Sequence, residues 1–154
     1  MKYLIFCVSL LISCQVKSNE LFVLTIEPSF KPIETYEVQL NDLDKPHRFF
    51  IVKRTYKDHK ALANYEDLNE AFEEISENEY AQIVSQLKSF LKTLKFDDDT
   101  SGWDGETWTL KTSVFQRLEI AIWSPDIDSK KRGYSKLISL KNSLDKHLLQ
   151  ANKD

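Results

Sequence analysis

The sequence predicts an α+β domain: an antiparallel sheet of about five strands with two main helices packed on one face, the elements running β-β-β-α-β-β-α. Three observations carry this. Ile33 to Leu40 alternates with a period of two. Ser76 to Lys95 opens on a capping sequence and then repeats at helical spacing, as the chain does again from Tyr134. Between these helical stretches, Glu106 to Thr112 and Val114 to Trp123 are two short alternating runs that read as a hairpin. Residues 21–154 are about the size of one ordinary domain, large enough to bury a core without crosslinks, so a single domain is expected.

Leu21 to Ile26, with Val23, Thr25 and Ile26, is an apolar run bounded by Pro28 and Pro32 and reads as a buried strand. In the second strand Tyr36, Val38 and Leu40 share one face, with Thr35, Glu37 and Gln39 on the other. The turn formers from Asn41 to Pro46 then lead into a third strand, His47 to Thr55, built on Phe49, Phe50, Ile51 and Val52. From Tyr56 to Glu74 no period dominates, and a short helix, an edge strand and a surface loop all stay open.

Ser76 and Glu79 have the spacing of a capping box, and Ile75 is placed to pack on Tyr80 as a hydrophobic staple. Tyr80, Ile83, Val84, Leu87, Leu91 and Leu94 then recur on one helical face. After the acidic connection Asp97 to Asp104, Trp108 and Leu110 fall on one side of a strand, and Val114, Leu118, Ile120 and Ile122 on one side of the next. Pro125 ends that strand, and Tyr134, Leu137, Ile138, Leu140, Leu144 and Leu148 mark a closing helix to about Gln150.

Ahead of the domain, Lys2 and the free amino terminus precede an apolar run from Leu4 to Ile12, the architecture of a signal peptide. About 20 apolar residues are needed to cross a bilayer, and polar residues follow too soon for that. Leu11-Ile12-Ser13-Cys14 resembles the bacterial lipobox, in which a cysteine is thioether-linked to diacylglycerol. The resemblance implies cleavage between Ser13 and Cys14, removal of residues 1–13, a lipidated tether over 14–20, and a protein held on the membrane by covalent lipid on Cys14. Two or more acyl chains give stable anchoring where one does not. Gln15, not Asp, follows Cys14, so in a Gram-negative host the resemblance implies the outer membrane, facing the periplasm.

The two cysteines are Cys7, inside the leader, and Cys14, blocked by lipid, which leaves the domain without thiol or disulfide. Removal of Lys2 leaves 20 basic against 24 acidic side chains. That balance argues against a nucleic-acid partner, which asks for a basic face, and against electrostatic adhesion to anionic lipid.

Asp97, Asp99, Ser101 and Gly102 match positions 1, 3, 5 and 6 of a calcium loop, with Asp104 or Glu106 as a substitute closing ligand. Position 12 is Trp108 and a strand follows, so the match is truncated and a solvated acidic connection is preferred; no cofactor beyond the lipid is expected. His47, His59 and His147 lack the paired spacing of a zinc site. No Gly-x-Ser-x-Gly elbow is present. Asp104 to Lys111, with a strand ending Ile122-Trp123-Ser124-Pro125, resembles a pattern in small uncharacterised exported bacterial α+β proteins, which implies a shared layout and no activity.

Two functions compete. One is a non-enzymatic binding or accessory protein that holds or blocks another envelope protein, such as an immunity protein against an incoming toxin or an inhibitor of a wall hydrolase. The other is a carboxylate-dependent envelope hydrolase using Asp97, Asp99, Asp104 and Glu106. If both helices lie on one sheet face, Thr107, Thr109, Lys111, Phe115, Arg117, Glu119, Ala121 and Trp123 point to the other, with Phe115, Arg117 and Trp123 as its candidate contacts.

Overall fold

Three long strands and two hairpin partners zip residue by residue around β1 (Asn19–Pro28), β2 (Ile33–Asn41), β3 (Arg48–Tyr56), β5 (Glu106–Thr112) and β6 (Leu118–Trp123). A short helix α1 (His59–Asn64) and a further strand β4 (Asp67–Ile75) follow β3. The helices α2 (Glu77–Leu91), α3 (Ser129–Arg132) and α4 (Ser135–Ala151) complete the chain. This is a computed structural model, and it describes residues 19–41, 46–94, 98, 100–102, 104–113 and 117–151. Among the described residues the sheet has six strands in the order β4-β3-β2-β1-β5-β6, every neighbouring pair antiparallel.

The architecture is the α+β one expected, with a sixth strand contributed by the segment whose periodicity decided nothing. In β4 only Ile75 is buried, so the strand shows no apolar alternation. It is held by its ladder to β3 and forms because β3 offers an open edge. α1 comes from the same segment. Asp58 caps it, its carboxylate accepting from the Ala61 N–H at 2.9 Å, and Tyr65 ends it in a left-handed conformation. The first described strand, β1, starts at Asn19, and residues 14–18 of the expected tether lie outside the described residues.

Alternation sorts the side chains. On the helix-bearing face the register aligns Phe22 with Val38, Leu24 with Tyr36 and Leu110, and Ile26 with Trp108, and carries the apolar rows on to Ile51 and Ile122. These residues are all 5% exposed or less, and they form one core with Ile83, Leu87 and Phe90 of α2 and Leu137, Leu140, Leu144 and Leu148 of α4. The α2 capping box is complete, with Ser76 Oγ accepting from the Glu79 N–H and the Glu79 carboxylate accepting from the Ser76 N–H at 2.8 Å. Replacement of Ser76 by alanine is expected to cost about 1 kcal/mol in a urea titration. Tyr80 stacks on Phe49 with ring centroids 4.2 Å apart. Lys136 Nζ donates to the Ser89 carbonyl at one end of the helix pair, and His147 lies 3.7 Å from Glu79 at the other, so α2 and α4 run antiparallel.

Candidate functional site

With α2 and α4 both packed on one side, no long helix among the described residues covers the other face of the sheet. Two rows of side chains run across it. One is Glu70, Arg54, Thr35, Thr25, Thr109 and Ala121, from β4 to β6; the next is Phe72, Val52, Glu37, Val23, Lys111 and Glu119. In the middle of the first row Thr35 is buried and Thr25 and Thr109 are partly buried, and Val52 is buried in the next row.

The β4 side of this face is charged and aromatic. Arg54 sits between two carboxylates, donating to Glu37 and to Glu70 at 2.6 Å each, and Gln39 donates to the same Glu37 at 2.6 Å. Partial burial of Arg54 opposes its charge, but the hydrogen bonds and charges of Glu37 and Glu70 outweigh that and hold the guanidinium more firmly protonated than usual. Phe50 and Phe72 stack at 5.0 Å, and the Arg48 guanidinium lies 5.3 Å from the Phe50 ring while forming a two-point pair with Glu74. Hydrogen bonding to Arg48 lowers the Glu74 carboxyl below its ordinary range. On the β5–β6 side Lys111 pairs with Glu119 at 3.1 Å, both exposed. Exposed pairs of this kind contribute little to stability; they pattern a surface.

Both ends of the face are roofed. At one, α1 lays Ala61 and Leu62 over Ile33 and Tyr56 as a small second core. At the other, the connection after α2 crosses Trp123 so closely that a Cβ on Gly102 would sit 2.3 Å from the indole, and one on Gly105 would sit 2.9 Å from it. Only glycine allows that approach. The crossing is fixed by Arg132 on α3. Its Nε and Nη2 donate to Asp98 at 3.1 and 2.8 Å, Nη2 also to the Trp123 carbonyl at 2.8 Å, and Nη1 to the Ser124 and Ile127 carbonyls at 2.7 and 3.0 Å. Asp98 accepts further bonds from the Thr100 hydroxyl and, at 2.6 Å, from Tyr134. Arg132 first, with Thr100 and Tyr134, holds the Asp98 carboxyl well below the usual carboxylate range.

A second polar cluster lies on the helix-bearing side. The Tyr36 hydroxyl lies 2.8 Å from Asp145 and 3.0 Å from Glu34, its one proton shared between the two carboxylates, Lys53 pairs with Glu34 at 2.9 Å, and Lys141 pairs with Asp145 at 2.6 Å. Burial, followed by the hydrogen bond to Asp145, pushes the Tyr36 hydroxyl upward, so it stays a neutral donor that ties α4 to β2. Burial works against the Asp145 charge, yet Lys141 and Tyr36 overcome it and lower its carboxyl.

Of the sequence-derived contact residues, Trp123 is half-buried and shares the helix-free face with Thr107 and Thr109, as expected, but under the Gly102–Gly105 crossing. Arg117 is exposed and lines a hollow with Leu21, Lys111 and Leu118; Phe115 lies outside the described residues. Of the calcium residues, Ser101 and Asp104 are exposed, and Asp97 and Asp99 lie outside the described residues. Among the described residues no group of three His, Cys, Asp or Glu side chains stands close enough to hold a metal ion. Glu106 is partly buried and accepts from the Trp108 indole N–H at 2.6 Å. Ser13 and Cys14 also fall outside the described residues. The Arg132–Asp98 clamp and the Phe50–Phe72 pair were missed, because each needs partners from distant segments. Extending the alternation one step beyond Tyr36 and Ile51 would have placed Glu34 and Lys53 on the core side. Comparison with models of known families, with curated proteins and with solved structures returns no match for this chain.

Proposed function

We propose that this chain is a lipid-anchored cell-envelope protein with a non-enzymatic binding or accessory role, facing the periplasm from the outer membrane in a Gram-negative host. The observation that carries the reading is Leu11-Ile12-Ser13-Cys14 directly behind a short apolar run. Cys14 stands five residues before the first strand residue, Asn19, so the domain would lie within roughly 18 Å of its anchor.

The helix-free face supports binding over turnover. Its carboxylates Glu37, Glu70, Glu74 and Glu119 are each engaged by Arg54, Arg48 or Lys111, an arrangement suited to recognising a complementary surface. Holding or blocking another envelope protein, or an incoming toxin as an immunity protein would, fits such a face.

Two linked measurements test this. Cys14→Ser is expected to abolish acyl labelling and release the protein from the membrane fraction; a variant that stays lipid-labelled and membrane-bound would refute the anchor. A photoactivatable residue at Ala121, exposed on the helix-free face, is expected to capture one envelope protein stoichiometrically, whereas the same residue at Ser85 on α2 is not. Equal capture from both positions, or from neither, would refute a binding role for this face.

A further inference from the structure

β4 forms one edge of the sheet and, among the described residues, pairs only with β3. An edge strand presents a row of backbone N–H and C=O groups to its open side, a template for one more strand. This edge is unusual in two ways. Its outward side chains include large apolar groups, with Leu68 61% and Phe72 54% exposed. It is also acidic beyond what its ion pairs neutralise. Between Lys60 and Lys88 the sequence has no Lys or Arg but seven carboxylates, Glu66, Asp67, Glu70, Glu73, Glu74, Glu77 and Glu79. Arg54 and Arg48 answer Glu70 and Glu74, and Glu77 and Glu79 belong to α2, where Glu79 lies 3.7 Å from His147. Among the described residues this leaves Asp67 and Glu73 on β4, with Glu66 just before it, without a paired cation.

We propose that β4 is a docking edge for an extended, lysine- or arginine-bearing apolar segment of a partner protein, which would add as a seventh strand. This deepens the binding role proposed above and rests on it. Backbone pairing supplies register, Leu68 and Phe72, four residues apart on the strand, supply apolar contacts, and the unanswered carboxylates select a basic strand. The same charges reject a second copy of this chain, since edge-to-edge pairing would bring two acidic strands together. They are the discriminating element: repulsive to self and attractive to the basic partner.

The probe is a blocked nine-residue peptide alternating valine and lysine, added to the full chain solubilised in detergent. Amide exchange is expected to slow in Asp67–Ile75 on its addition. A valine–glutamate counterpart, and a valine–lysine peptide with a central proline that breaks strand pairing, are expected to bind at least about tenfold more weakly. Phe72→Ser and Asp67→Lys, both at exposed positions, are each expected to weaken the valine–lysine peptide about fivefold with the circular dichroism unchanged. Equal binding of the proline peptide would overturn the proposal by reducing it to diffuse charge attraction. Protection away from β4, or a sedimenting dimer whose β4 is protected without peptide, would overturn it too. Failure of the peptide while Ala121 still captures an envelope protein would overturn the docking edge alone; failure of both would remove the binding role with it.

Discussion

Replacement of Arg132 by methionine is expected to lower the unfolding free energy by about 3 kcal/mol, the scale for breaking a largely buried ion pair and orphaning its carbonyl partners. All of its nitrogens are spent on Asp98 and on the carbonyls of Trp123, Ser124 and Ile127, and its side chain is only 10% exposed. Lysine should not rescue it, because one ammonium cannot reproduce the planar fork that reaches four partners. The pH dependence follows from Asp98. Its carboxyl is depressed in the folded state, so its contribution is fully present above the unfolded value of about 3.9 and is lost as pH falls from there toward the folded value. The gap in urea midpoint between the native chain and Asp98→Asn should therefore be constant from pH 7 to about 5 and narrow below about 4. A gap that persists undiminished at pH 3 would show that the clamp does not depend on the Asp98 charge.

Leu144→Ala is expected to cost about 3 to 4 kcal/mol. Leu144 is fully buried within the core that α4 shares with the sheet and α2, and a long helix seated on a sheet has little freedom to collapse into the void left by its truncation. Leu149→Ala, on the same helix but 65% exposed, should change stability by less than about 0.5 kcal/mol. Similar midpoints for the two variants in a denaturant titration would mean that α4 is not docked by the stripe containing Leu144.

What could be read from the sequence was what local chemistry decides. Ser76 and Glu79 announce the start of α2 because both halves of the capping box lie within four residues. The inward sets of β5 and β6 were legible because Trp108, Leu110, Ile120 and Ile122 alternate cleanly, and they meet across the ladder as Trp108 with Ile122 and Leu110 with Ile120. β4 was not legible, since an edge strand with one buried residue has no apolar period to detect and depends on its ladder to β3, with Lys53 opposite Ala71 and Thr55 opposite Asn69 among its pairs. The α1 cap at Asp58 carried a signal, but with only Ala61 buried the helix behind it is too short to show amphipathic spacing. The candidate face was half legible. Thr107, Thr109, Lys111, Glu119, Ala121 and Trp123 follow from alternation, whereas the Phe50–Phe72 stack and the Arg54 ladder join β2, β3 and β4 and appear only once β4 is known. Trp123 illustrates the limit of alternation: its side of the strand was predictable, but the crossing that shields it depends on Gly102, Gly105 and a guanidinium from α3.

The most direct test of lipid anchoring is intact mass analysis of the mature amino-terminal peptide from protein purified out of its native membrane. The expected peptide begins at Cys14 and carries a diacylglyceryl thioether, usually with a third, amide-linked acyl chain. A peptide beginning at Met1 with Cys7 and Cys14 as free thiols would contradict lipid anchoring.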